Sequence, residues 1–288
     1  MIRYSRLAYV SLNVTDLERS RAFYEETVGL GFEGRGPGGE AVLRASARQR
    51  VLLHASPKAG LKRLGWEMES AQALDSLAAG LARRGLPHNE ARTVEGHRCL
   101  HVTEPNTGAA LDFLVRPAGL EAPRPGGAVE LLGHAVLCTP RYAEAVEFFT
   151  KVLDFRASDE IEGRIAFLRC FPNPLHHSIG IAAASRNLLH HVSFLVRSAG
   201  EIDGAAERLR SSGVTIMSGP GLHAPSGSTY VYFLDPDGLT LEYSYGMERF
   251  PEVAPRAPRV LPALSKPLDL DASAREPGRY DAGEIETR

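Results

Sequence analysis

Apolar positions along the chain follow two rhythms, and the alternation between them occurs four times. A strand-like run, LAYVSLNV from Leu7, gives way to apolar residues at helical spacing over Asp16–Val28, then to short runs at Ala41–Ala45 and Val51–Ala55. Strand side chains alternate faces with period two, whereas a helix shows one face every three to four residues. The change of period therefore marks a change of element. The same order recurs from RLGWEME through a helix at Ala71–Arg84 to strands at Cys99–Thr103 and Leu111–Val115. It recurs from LLGHAVLC through Tyr142–Val152 to Arg164–Arg169 and Ser178–Ala182, and from LLHHVSFLV through Ile202–Ser211 to Tyr230–Leu234 and LTLEYSYG. Gly85 and Gly213 follow the second and fourth helices as stop signals. The pattern predicts an α+β protein of four strand-helix-strand-strand-strand modules in two tandem domains.

The halves are copies of one another. LAYVSLNVTDLERSRAFYEETVGLGF parallels LGHAVLCTPRYAEAVEFFTKVLDFRA, which starts at Leu132. A constant offset of 125 positions sets Tyr9 against His134, Phe23–Tyr24 against Phe148–Phe149, and Trp66 against His191. A shift of a few residues then sets Asp112 opposite Glu242. The predicted organisation is a first domain over 1–116, a linker over 117–129, a second domain over 130–250 and a proline-rich tail over 251–288. RPAGLEAPRPGG has the Pro and Gly content of a linker, and the periodicity ends near Phe250. The tail reads as partly extended over the surface and partly disordered.

Composition narrows the function classes. A net charge of −2 supplies no basic field to recruit nucleic acid or acidic lipid. No apolar run is long enough to span a membrane, and MIRYSRLAYVSLNV has no leader-like core. The cysteines are Cys99, Cys138 and Cys170, an odd set without metal-type pairing, which fits a reducing cytoplasm better than a disulfide framework.

The chemistry concentrates in the second copy. His134, His191 and Glu242 each fall in a strand-like segment, and two imidazoles with one carboxylate make a facial metal-binding set with open positions opposite. Any one of them alone reads more simply as a hydrogen-bonded interior residue. As a set placed by a repeat, they favour a metal, because a solitary buried charge is costly. His190, one residue from His191, should point to the opposite face and play a structural part. Val136 and Cys138 share a face with His134, and a small core residue is the favoured reading of Cys138.

The tandem duplication, the GHAVL and LHHVSF strands, the G-P-G-x-H turn at Gly219–His223 and the run YFLDPDG leading into LEY resemble the type I extradiol catechol dioxygenases of the vicinal oxygen chelate superfamily. The resemblance covers Arg3 to about Phe250. It implies cupped mixed sheets with helices outside, and Fe(II) held by His134, His191 and Glu242, although ligand chemistry alone also permits Mn(II). It implies a catechol-type aromatic substrate and O2 as partners, with ring cleavage beside the hydroxyls, in a cytoplasmic enzyme expected to be a homo-oligomer. By the same resemblance His177 is the acid–base histidine, and His223 and Tyr232 contact the substrate oxygens. His176 reads as a loop residue after Pro174, and Tyr230 competes with Tyr232 as a core tyrosine on the same face. Tyr9 and Trp66 stand where imidazoles would be needed, so the first domain should hold no metal and Tyr9, Trp66 and His101 should serve stability. Pro225 departs from family members that carry a polar side chain there, which leaves the distal ring contacts open. Two alternatives remain at this level. One is a metal-free, drug-sequestering binding protein of the superfamily. The other is a glyoxalase-like isomerase or transferase.

Overall fold

The computed structural model describes residues 1–93, 95–117, 127–263 and 283–286. The first module is β1 (Tyr4–Val14), α1 (Leu17–Glu26), β2 (Gly31–Arg35), β3 (Ala41–Ser46) and β4 (Gln49–Ala55). The second is β5 (Gly60–Met68), α2 (Ala71–Arg83), β6 (His88–Arg92), β7 (Arg98–Thr103) and β8 (Ala110–Leu114). The third comprises β9 (Val129–Thr139), α3 (Tyr142–Glu147), β10 (Arg156–Ile161), β11 (Ile165–Arg169) and β12 (Ile179–Ala183). The fourth comprises β13 (Leu188–Val196), α4 (Ala199–Ser211), β14 (Ile216–Leu222), β15 (Thr229–Leu234) and β16 (Thr240–Tyr245). Two short strands follow, β17 (Arg259–Leu261) and β18 (Glu284–Ile285). The α+β reading and its four modules hold.

Helix starts have local causes. Asp16 and Ser70 accept hydrogen bonds from the backbone N–H groups of Arg19 and Ala73, satisfying donors that a first turn leaves free. The third helix departs from the expected continuous α-helix. After Glu147 it widens into a π-helical turn over Phe148–Val152, and Phe148 and Phe149 are both buried there.

The modules pair into two mixed nine-stranded sheets. The first runs β2-β3-β4-β1-β5-β8-β7-β6 with β18 added beside β5, and the second runs β14-β15-β16-β13-β9-β12-β11-β10-β17. In each, the leading strands of the two modules, β1 with β5 and β9 with β13, form the central antiparallel pair. Six strands escaped the pattern reading, four within the modules and β17 and β18 in the tail. β2 and β6 are largely exposed, since an outermost strand buries little, β14 is half-buried and interrupted by Ser218–Gly221, and β10 mixes both characters beside β17.

The core runs through both halves. Trp66 stacks on Phe113 at 6.0 Å and meets Phe149 and Phe155 of the second half edge-on. Gln49 joins the central strands, donating to the carbonyls of Leu7 and Leu132 at 2.8 and 2.7 Å. Most of the predicted linker lies outside the described residues, as does 264–282 of the predicted tail. The described parts of that tail are tied down, β17 parallel to β10 and β18 parallel to β5. Among the described residues no helix is long and apolar enough to cross a membrane.

Candidate metal centre and active site

Sheet register brings the three predicted ligand residues together. Ser193 of β13 sits opposite His134 on β9 and opposite Glu242 on β16, while His191 lies two residues before Ser193 and so shares its face. All three side chains are buried. His134 Nε2 lies 3.1 Å from His191 Nε2 and 3.1 Å from Glu242 Oε2, and His191 Nε2 lies 3.4 Å from the same oxygen. An octahedral ion with bonds of about 2.1 Å places neighbouring ligand atoms about 3.0 Å apart, so the triangle has the right size.

The charge state fits as well. Burial pushes the His191 imidazole down to about 3 against the pull of Glu242. Burial alone would raise the Glu242 carboxyl, but His134, His191 and His223 hold it well below the ordinary range. Glu242 Oε2 is fully buried and has no aligned donor despite its two close nitrogens. A cation at the centre would satisfy this oxygen.

Surrounding groups refine this picture. The strand pairing slips between Leu189 and His191, and this irregularity turns His190 toward its neighbour instead of away from it. Its Nδ1 lies 2.7 Å from His191 Nδ1, which orients the ring and leaves Nε2 for the centre. The expectation that alternation sends His190 to the opposite face is therefore corrected. His177 lies just before β12, with its ring 4.0 Å from that of His134. His223 Nε2 is 3.1 Å from Glu242 Oε1 and 3.0 Å from the Tyr232 hydroxyl. Tyr230 stacks flat on the His223 ring at 3.8 Å, so both tyrosines of the run are engaged beside the site. His176, expected in a loop, does occupy a bend but is fully buried.

These side chains surround a pocket completed by Val136, Ile161, Phe167, Pro225 and Ser226. Its walls come from β9, β10, β11, β13 and β15, so the sheet wraps around it. Beyond the histidines, these lining residues carry no ionisable side chain except the phenol of Tyr232. Cys138 packs in the apolar cluster with Val136 and Phe167 behind the pocket wall.

The first sheet differs at the equivalent positions. Register corrects the constant-offset alignment. Gly65 faces both Tyr9 and Asp112, as Ser193 faces His134 and Glu242. The position equivalent to His191 is therefore Arg63, opposite Ser11, and Trp66 belongs to the core between the halves. The Arg63 guanidinium lies 2.9 Å from Asp112, which also contacts His101 at 2.8 Å and the Tyr9 hydroxyl. In the first sheet a guanidinium stands beside the buried carboxylate, where the second sheet has the imidazole of His191.

Residues 131–243 match the family model of the Glyoxalase/Bleomycin resistance protein/Dioxygenase superfamily. Biphenyl-2,3-diol 1,2-dioxygenase of Paraburkholderia xenovorans is 28% identical over 268 residues, covering 83% of this chain and 87% of that enzyme. Metapyrocatechase 2 of Cupriavidus necator is 30% identical over 120 residues, 42% of this chain but only 38% of that protein. The solved Mn(II)-bound glyoxalase from Novosphingobium aromaticivorans superposes with a TM-score of 0.82 at 25% identity, covering 91% of this chain and 89% of that one. Residues 131–243 are thus similar to the Glyoxalase/Bleomycin resistance protein/Dioxygenase superfamily, and the chain's homologues include ring-cleaving dioxygenases.

Proposed function

We propose that this protein is an Fe(II)-dependent extradiol dioxygenase that opens a catechol-type ring with O2. The observation that carries the reading is the buried triangle of His134, His191 and Glu242, beside a pocket walled by Val136, Ile161 and Phe167 and flanked by His177, His223 and Tyr232. His134, His191 and Glu242 would hold the ion, which when bound supplies Lewis-acid and redox coupling between a chelated diol and dioxygen. His223 and Tyr232, already hydrogen-bonded to each other, orient the diol oxygens and accept or return a hydroxyl proton. His177, on the other side of His134, holds and moves a proton where negative charge develops on the oxidant. Val136, Ile161 and Phe167 exclude water and grip the ring.

A carboxylated catechol would meet no cationic partner on these walls, so the substrate class is a neutral, monocyclic or biaryl diol. The same reading assigns a cytoplasmic, homo-oligomeric enzyme. Similarity to the Mn(II)-bound glyoxalase supports a second reading, an isomerase on the same ligand set with manganese.

Oxygen uptake separates them. The protein is reconstituted anaerobically with Fe(II), mixed with 2,3-dihydroxybiphenyl or 3-methylcatechol, and exposed to air. Oxygen loss with a new yellow absorbance is the expected result. Bound iron without oxygen loss on either diol would move the isomerase reading forward, and failure to bind any divalent metal would return the chain to a binding protein.

A further inference from the structure

A second cluster of potential ligands, Asp159, His176 and Glu248, lies behind His177. It already holds its cations. Arg256 donates to Asp159 at 2.9 and 3.0 Å, and Arg259 donates through its backbone N–H and guanidinium at 3.0, 3.0 and 2.6 Å. Arg256 also reaches Glu248 at 2.6 Å. Two guanidinium groups against two carboxylates leave the cluster neutral with an uncharged His176.

From this geometry we infer that Asp159 and His176 are positioning residues that fix which nitrogen of His177 carries its proton. The inference rests on the acid–base role proposed above for His177. An ionised Asp159 surrounded by donors can only accept, so His176 Nε2, 2.9 Å away, must donate. Neutral His176 is then left with a lone pair on Nδ1, which lies 3.0 Å from His177 Nδ1. His177 must donate across that contact. Its proton sits on Nδ1, and the lone pair on Nε2 is the one available to the pocket that His177 lines. In this state His177 takes a proton first and returns it later. A carboxylate that sets an imidazole tautomer through a hydrogen bond is the same device that orients the histidine of a Ser-His-Asp triad.

The anchor lies in the C-terminal segment. Arg259 leads β17, which pairs with β10 at Asp159, and its guanidinium also donates to the Pro225 carbonyl at 2.7 Å. One side chain thereby links the relay to the pocket wall. The segment that reads as tail from its composition completes the active site from behind.

Nitrogen-15 spectra of histidine-labelled full-length protein, loaded with Zn(II) as a diamagnetic probe, test the relay without turnover. Wild type should show His177 protonated on Nδ1 and unprotonated on Nε2. Asp159→Asn should reverse this, because the arginines hold the amide oxygen and leave its NH2 to donate toward His176. The Fe(II)-loaded Asp159→Asn protein should keep its metal content and its KM for 2,3-dihydroxybiphenyl within about twofold, and lose about 100-fold in kcat. His176→Asn, which keeps an acceptor near the Nδ1 position, should retain more kcat than His176→Phe. Wild-type His177 protonated on Nε2 would overturn the inference, even if Asp159→Asn does not fold. So would an unchanged tautomer and kcat in a folded Asp159→Asn. A wild type with the expected tautomer and no turnover would count against the dioxygenase reading alone.

Discussion

The contrast between Arg63 and His191 shows how one side chain divides two copies of a fold. Both sit at the same register position beside a buried carboxylate, Asp112 in one sheet and Glu242 in the other. In the first sheet the neutralising charge is covalently attached. Replacing Arg63 by Met strands Asp112 in the interior, at an expected cost of about 3–5 kcal/mol measured by urea unfolding. A loss of less than about 1 kcal/mol would mean that Asp112 is satisfied by His101 and Tyr9 alone. In the second sheet the proposed metal would supply that charge. His134→Ala, His191→Ala and Glu242→Ala should each abolish stoichiometric retention of Fe(II), read as metal per chain after desalting, while the fold persists by circular dichroism. Full metal content in any of the three would refute its place in the ligand set.

Elements are set by how much each strand buries. The central strands carry long apolar runs and were legible, whereas β2 and β6 at the sheet margins are largely exposed and β14 is interrupted by Ser218–Gly221, so that no periodicity rule detects them. The π turn after α3 and the slips in strand pairing were equally hidden, since both depend on what the neighbouring element demands. The slips decide chemistry, because they turn His190 toward His191 and replace Trp66 by Arg63 at the equivalent position. Gly65 illustrates the tolerance of a central strand. A Cβ there would lie 2.3 Å from the Tyr9 ring, which crosses directly over it. Gly65→Ala should therefore cost about 1–3 kcal/mol by overpacking. Wild-type stability in that variant would show that Tyr9 can swing aside, away from Asp112.

At the scale of the molecule, the halves are joined through shared interior. Trp66 is fully buried and touches aromatic rings of both halves, and Gln49 bonds to the first strand of each. Trp66→Ala should cost about 3–5 kcal/mol. The loss should appear in one unfolding transition followed both by near-ultraviolet dichroism and by metal release. Two separated transitions in the wild type would show instead that the halves unfold independently. The duplicated pattern of apolar residues determined the module order and the α+β class, because burial periodicity is a local property of the chain. The residue types within the strand-like runs of the second copy also singled out His134, His191 and Glu242, although the constant offset of the repeat mispaired His191 with Trp66. Only the tertiary structure decided their convergence to within 3.4 Å, the pairing of the Arg63 guanidinium with Asp112 in the first sheet, and the approach of Arg256 and Arg259 to Asp159. Each of these depends on strand register and on contacts between residues far apart in the chain, and neither composition nor periodicity encodes a distance of that kind.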